Sequence, residues 1–453
     1  MLDDLCGRPL PFGSAFPVAI ATAAQRTKHE CWQPFQPTTT FHSTRHAGNL
    51  RVNLLRRHPI AIALVLLLVV TAFHPLPPLV DAITGSAPGD VDLDRPTMYV
   101  ALAPFSNTLD ALTFFSAARA VWAVVVWILV LAAWGALRAG TRSQRIGRAL
   151  AGPVTLLVLG VAAVLLPRPV PRLTTTDSDA TIIDYHAHTQ ASHDGRPGWT
   201  LAKLAAWHGR QGFEASYVTD HNVVYDGSLP PPPGTAINLL PGVEWSVYGQ
   251  HVVAIGAVEA LPRDSFGGST QRMVRIFSAI ERQGGISIAS LPEYWRNHRD
   301  DLGAFVVAGV DGFEIVNCAP KALSFPTEAR SEVVALAAGH DLLVVGASDN
   351  HGWGQVTCVW NLSRPGTQGF HSNRVFARSL ALIQGDWLPW TAPLTQPWFM
   401  FRSLSWSERA SWLTWVVVIL LYRAMPRRQG QAAGIGILAR SVWRPRRRPP
   451  VVS

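Results

Sequence analysis

Three histidines, His186, His188 and His193, fall within eight residues of one another, directly after the apolar run Thr181-Ile-Ile. If residues 181–188 form a β-strand, side chains alternate between its faces, and His186 and His188 point the same way. Two imidazoles on one face, with a third arriving from the next loop, are how a protein begins a nitrogen-rich metal site. A His-rich surface loop is the plain alternative. More titratable groups follow at the ends of later apolar runs: Thr219-Asp220-His221, Pro241-Gly-Val-Glu244, Glu314-Ile-Val-Asn317 and Asp349-Asn-His351, with His251 opening the segment after Glu244. Buried without partners, such groups cost several kcal/mol each, so they must be paired, hydrated or bound to metal.

The elements that must position them alternate in type. Strand-like runs lie at 181–188, 214–221, 237–246, 251–258, 286–292, 312–317 and 342–351, with helical stretches at 200–211, 269–283 and 327–339. Gly212, Gly284-Gly285 and Gly339 stand where helix ends need them. The pattern predicts an α/β domain on a mostly parallel sheet, open or closed into a barrel, with its chemistry at the carboxyl ends of the strands.

In order and spacing this set resembles the PHP family, named for polymerase and histidinol phosphatase, over roughly residues 180–390. The resemblance rests on His186-x-His188, Ser192-His193-Asp194-Gly195, Thr-Asp-His221, Pro-Gly-Val-Glu244 with Gly-x-His251, and Asp349-x-His351. It implies a distorted (β/α)7 barrel carrying two or three divalent transition metal ions, Zn, Mn or Fe. It implies metal ligands at His186, His188, His193, His221, Glu244, His251, Asp349 and His351, and catalytic roles for His186, His188, Glu244 and Asp349. His186, His188, Glu244 and Asp349 would hold one ion and His193, His221 and His351 a second. The family usually has a ligand His where this chain reads Ala289-Ser-Leu291-Pro292. Leu291 leaves a third ion with Glu244 and His251 alone, unless Glu293, His298, water or substrate completes its shell. The implied activity is hydrolysis of a phosphate monoester by metal-activated hydroxide. The residues by themselves support metal-assisted hydrolysis. The alternatives are a non-catalytic metal-binding or sensor module and a hydrolase of a non-phosphate substrate.

Around these positions, Asp220 is expected to orient His221, and Glu314 and Asn317 either line the pocket or cap strand ends. Arg196, Arg296 and Arg299 are candidates to steer a phosphate, or solvated surface residues. Trp245, Trp295 and Trp353 could wall the pocket or pack in the core. His208, His298 and His340 read as ordinary surface or helix-end residues. A helix is expected over 372–385.

Outside 175–395 the composition changes. Apolar runs at about 59–80, 120–137 and 149–167 approach the ~18–20 residues that cross a ~30 Å hydrocarbon core as a helix. A weaker fourth, within 405–426, has Trp406, Trp412 and Trp415 at one end, as in an interfacial belt. Arg138, Arg142, Arg145 and Arg148 lie between the second and third runs with no acid among them, and the 427–453 tail is Arg-rich. Four spans with both termini cytoplasmic and the 175–395 domain outside satisfy these clusters, and give the net charge of +9 a topological cause. Residues 1–51 are expected to be disordered, with 52–170 forming the membrane region. Expected partners are the lipid bilayer and a small-molecule or cell-surface phosphoester, with no nucleic acid. Cys318 and Cys358 fall in the outer domain, where the sequence leaves a disulfide and two buried thiols equally open.

Overall fold

Among the described residues of the computed structural model, twelve strands carry the fold. The structure describes residues 58–425 except 226, 228, 231, 248, 257–258, 262–269, 365 and 367. The expected disordered segment and the Arg-rich tail lie outside the described residues. The strands are β1 (Leu79–Asp81), β2 (Val91–Asp94), β3 (Arg172–Thr175), β4 (Thr181–Asp184), β5 (Ala215–Val218) and β6 (Asn238–Val247). They continue with β7 (Gln250–Ile255), β8 (Ile286–Ala289), β9 (Gly312–Asn317), β10 (Leu343–Ala347), β11 (Val359–Ser363) and β12 (Asn373–Arg378).

Ten of them form one curled sheet in the order β1-β12-β11-β4-β5-β6-β7-β8-β9-β10, and β2 pairs with β3. The seven expected strands are β4 to β10, and their flanking helices Leu201–Gln211, Thr270–Arg282 and Thr327–Gly339 lie where the periodicity predicts them. The expected α/β domain takes the form of a curled ten-stranded half-barrel of mixed direction. The chain reverses after β6, so β6, β7 and β8 run antiparallel, while β4–β5–β6 and β8–β9–β10 are parallel. β11 adds antiparallel to β4 and β12 extends that edge, so the stretch expected to be one helix over 372–385 opens as a strand.

The segments that follow β4 and β10 meet at the carboxyl rim. The Asp349 N–H donates to the His186 carbonyl at 2.9 Å and the His188 N–H to the Asn350 carbonyl at 3.2 Å. Deeper in the sheet, Asn361 on β11 accepts from the Gly346 N–H at 2.7 Å and donates to the Ile183 carbonyl at 3.0 Å. One buried amide therefore serves both β10 and β4, as buried polar groups require. These bonds hold the segments that follow β4 and β10 side by side.

Two helices, Ala117–Leu137 and Arg142–Leu165, are long and apolar enough to cross a membrane, with mean hydropathy 2.4 and 2.0 and almost no burial in the protein. They pack as a hairpin around Gly135, where an added Cβ would fall 2.4 Å from the Arg148 carbonyl oxygen. Such close backbone approach is what small residues permit between apolar helices. The expectation of four spans is corrected to these two. The first apolar run forms a helix of 14 residues, Pro59–Ala72, short of the ~20 that a span needs. The last, Trp406–Ala424, is capped by Ser405 and Glu408 and buries both Glu408 and Arg409 in the protein body. Arg409 donates to the carbonyls of Leu68 at 2.9 Å and Phe401 at 2.7 Å. Trp412 and Trp415, expected at a membrane surface, donate instead to Asn107 and to the Ala101 carbonyl.

Candidate metal centre

The segments after β4, β5 and β10, together with the β6–β7 hairpin, bring seven of the eight expected ligands into one cluster. His186 Nε2 and His188 Nε2 lie 2.9 Å apart. Glu244 Oε2 is 3.2 Å from the first, 3.3 Å from the second and 2.9 Å from His221 Nδ1. Its other oxygen, Oε1, lies 2.7 Å from His251 Nδ1. Asp349 Oδ1 closes the group at 3.2 Å from His188 Nε2 and 3.6 Å from His186 Nε2. The His351 ring stacks on His188 with centroids 3.9 Å apart. His193 is the outlier: its side chain is 78% exposed, and it approaches the cluster through Asp194 and the His221 ring. Expected to share a site with His221 and His351, it groups with His221 and Asp194, while His188 groups with His221 and His351.

The partners outside the cluster fix which ring nitrogen faces in. His186 Nδ1 donates to buried Glu314 at 2.6 Å, leaving Nε2 as the inward lone pair. Glu314 is itself held by Ser290 at 2.5 Å and Asn317 at 3.1 Å, and Asn317 also reaches Asp349 at 3.1 Å. His188 Nδ1 donates to Ser192 Oγ at 2.8 Å, and Ser192 passes its own proton to Asp220 at 2.9 Å. The expectation that Asp220 orients His221 is corrected, because its carboxylate is taken up by Ser192, Thr189 and Tyr225. Gly195 makes this loop possible, since a Cβ there would sit 2.0 Å from the Thr189 carbonyl oxygen. His208, read as an ordinary helix-end residue, is buried and bonds Asp184 at 2.8 Å beneath the cluster. Asp349 adopts a left-handed backbone, with φ of 47°.

Two contributors escaped the sequence reading as participants. Asp194 lies 3.2 Å from His351 Nε2 and 3.6 Å from His221 Nε2, and its place in Ser-His-Asp-Gly was the available signal. Tyr294, on the helix Leu291–His298, puts its hydroxyl 3.3 Å from His251 Nε2. On the same helix Leu291 is fully buried in the core and supplies no donor, while His298 turns away to Asp301 and Phe305. Arg196 leans over Trp353, whose indole donates to the Asp194 carbonyl at 3.1 Å, whereas Arg296 stacks on Trp295 away from the cluster.

The donor set suits a divalent metal. Imidazole nitrogens and carboxylate oxygens converge in four overlapping groups, each with its ligand atoms within 4.8 Å of one another. Glu244 Oε2 and His351 Nε2 are buried without a well-directed hydrogen bond. With protons as the only cations, burial opposes charge on His186, and Glu244, Glu314 and Asp349 overcome it, holding that ring protonated well above the usual imidazole value. Burial likewise opposes the charges of Glu244 and Asp349, and the surrounding imidazoles hold both well below the usual carboxylate range. For His351, burial is outweighed by the Asp194 carboxylate 3.2 Å away and by the Asp349 charge, and its value rises to about 9.

The sign of the resulting pH dependence follows. A raised His351 stabilises the metal-free fold fully below its unfolded value of 6.5, and this contribution is lost as pH rises through about 9. Metal binding needs neutral imidazoles and strengthens over the same window. Melting curves of chelator-treated protein should therefore fall in Tm from pH 6.5 to about 9, with excess Zn or Mn removing or reversing the fall. A flat chelated profile would contradict the coupling.

No protein-family model matches the chain, and no curated protein sequence does. Among solved structures it is similar to PsfC from Pseudomonas syringae, at 16% identity and a TM-score of 0.34, over 48% of this chain and 98% of that one. It is also similar to the lesion-specific endonuclease PfuEndoQ from Pyrococcus furiosus, at 14% identity and a TM-score of 0.27, over 43% of this chain and 54% of that one. Neither likeness is close enough to carry an assignment of function.

Proposed function

We propose that this protein is a metal-dependent phosphoesterase of PHP type, held at a membrane by its apolar hairpin. The observation that carries the reading is the convergence of His186, His188, His221, Glu244, His251, Asp349 and His351 on one buried spot, with the first two rings oriented by Glu314 and Ser192. Two divalent ions bound there would supply charge neutralisation and a water acidic enough to attack at neutral pH. The chain's own part is to hold the donors. Glu244 spans the cluster, one oxygen toward His251 and the other toward His186, His188 and His221. Asp194 and His351 sit at the open side, where an oxygen and a nitrogen 3.2 Å apart can share a proton. Arg196, beside them, is the guanidinium best placed to meet a phosphate.

Arg138 lies in the hairpin turn and Arg142, Arg145 and Arg148 in the opening turns of the helix after it, so the reading puts that end of the hairpin in the cytoplasm and the sheet on the opposite side. The Cys318–Cys358 disulfide agrees with an oxidising compartment. A non-catalytic metal-binding module is the second reading, favoured by Leu291 in place of a ligand.

The test is metal analysis of the full chain together with a panel of phosphoesters, amides and carboxylic esters, on the protein and on its His188→Ala variant. Two tightly bound ions and phosphoester turnover that His188→Ala abolishes are expected. Metal binding with no turnover on any ester would favour the second reading, and activity surviving His188→Ala would overturn the site.

A further inference from the structure

The apolar hairpin and the metal cluster attach to the same two segments. Ala117, the first residue of one apolar helix, donates its N–H to the Pro320 carbonyl at 2.8 Å. Near the end of the other, the Val164 carbonyl accepts from Gln355 Nε2 at 3.0 Å. Pro320 lies three residues beyond Asn317, which bonds Asp349, and Gln355 lies four residues beyond His351. At ~3.8 Å per residue, chain length alone limits these separations to ~11 and ~15 Å. The Cys318–Cys358 disulfide joins the two segments directly, with Cα atoms 5.6 Å apart.

Aromatic groups mark the level at which the hairpin would enter lipid. Buried Arg119, in the first turn after Ala117, donates to the carbonyls of Trp387 and Leu388 at 3.4 and 3.3 Å and to Thr395 at 2.6 Å. This clamp presents Trp387, Leu388, Trp390 and Leu394 to the outside, Trp390 being 61% and Leu394 82% exposed. Exposed Trp and Leu at the start of an apolar helix belong at the headgroup level, a layer only ~5–8 Å deep on each side of the hydrocarbon. A cation joins this level to the cluster. Lys321, next to Pro320, lies 4.1 Å over the Tyr294 ring, whose hydroxyl is 3.3 Å from His251.

We infer that the substrate is a phosphoester carried by a membrane lipid, presented to the cluster from the headgroup layer of the bilayer that holds the hairpin. This deepens the phosphoesterase reading and rests on it. Water adds its oxygen to phosphorus, the P–O bond to the lipid-borne group breaks, and the leaving oxygen takes the proton lost by the water. For a monoester the products are inorganic phosphate and a lipid alcohol, and no further reactant is needed.

The test uses the metal-loaded full chain in non-ionic detergent micelles. Phosphatidic acid and phosphatidylglycerol are compared with their water-soluble counterparts, glycerol 3-phosphate and glycerophosphoglycerol. The expected result is kcat/KM at least about tenfold higher for a lipid ester than for its soluble counterpart. The rate should also fall when the lipid is diluted in the micelle surface at constant bulk concentration. A Trp387→Ser/Trp390→Ser variant that retains its metal should show a lower lipid-to-soluble ratio. Turnover of soluble esters as fast as lipid ones, without surface dilution, would overturn the lipid inference and leave the phosphoesterase intact. Turnover of neither class would overturn both.

Discussion

Glu244→Gln is expected to lower bound metal by at least one ion per chain and phosphoester turnover by at least about 100-fold. The replacement keeps the volume and removes the one charge that faces four imidazoles, with Oε2 2.9–3.3 Å from His186, His188 and His221 and Oε1 2.7 Å from His251. An amide offers one weaker acceptor oxygen and an NH2 group, whose two N–H bonds would point at ring nitrogens or an ion. Glu314→Gln provides the contrast. Within the cluster its carboxylate touches the outward nitrogen of His186 and no inward one, so the loss expected is that of an orienting partner, about 10–100-fold in metal affinity. Elemental analysis and a steady-state assay on both variants check the ranking. Two retained ions and unaltered turnover in Glu244→Gln would remove Glu244 from the site.

The second large effect lies where the hairpin joins the sheet. Asp110 is almost fully buried, accepts from Tyr99 at 2.8 Å, and pairs with Arg168 at 3.0 Å and Arg378 at 3.2 Å. Arg168 closely follows the second apolar helix and Arg378 ends β12, so one carboxylate pairs with a cation from each side of the joint. Asp110→Ala removes the nearest anion from two largely covered guanidinium groups, an expected loss of about 3–5 kcal/mol. Chemical denaturation of the full chain in detergent should register it, with metal content of the folded fraction unchanged. A change below about 1 kcal/mol would mean that water or a mobile side chain compensates.

Much of the site was legible because its residues follow strands whose periodicity can be read. His186 and His188 share a face in the segment after β4, and Asp220-His221 and Asp349-x-His351 fall just past the apolar runs that become β5 and β10. What escaped are partners chosen through space. Nothing in the spacing of Glu314, Ser192 or Tyr294 announces which imidazole each will meet, because those pairings depend on how far the sheet curls. The same applies to His208, whose helical position gave no hint of buried Asp184. β11 and β12 carry no titratable group of the cluster, and the polar Asn361 and Ser363 on β11 and the two arginines on β12 mute their apolar pattern. The fourth apolar run misled for a different reason. Its hydropathy says nothing of Glu408 and Arg409, whose charges are neutralised or hydrogen-bonded only once the Pro59–Ala72 and Ala103–Thr113 helices pack beside them.

The left-handed backbone of Asp349 makes that position a double constraint. Among L-residues only Asp and Asn visit this region at low cost, and only Asp among them brings a charge. Asp349→Asn therefore separates ligand chemistry from chain geometry at a single position. Alanine or a β-branched residue there would disturb the backbone that fastens the His186 and Asn350 segments together, and any loss of activity would have two causes instead of one.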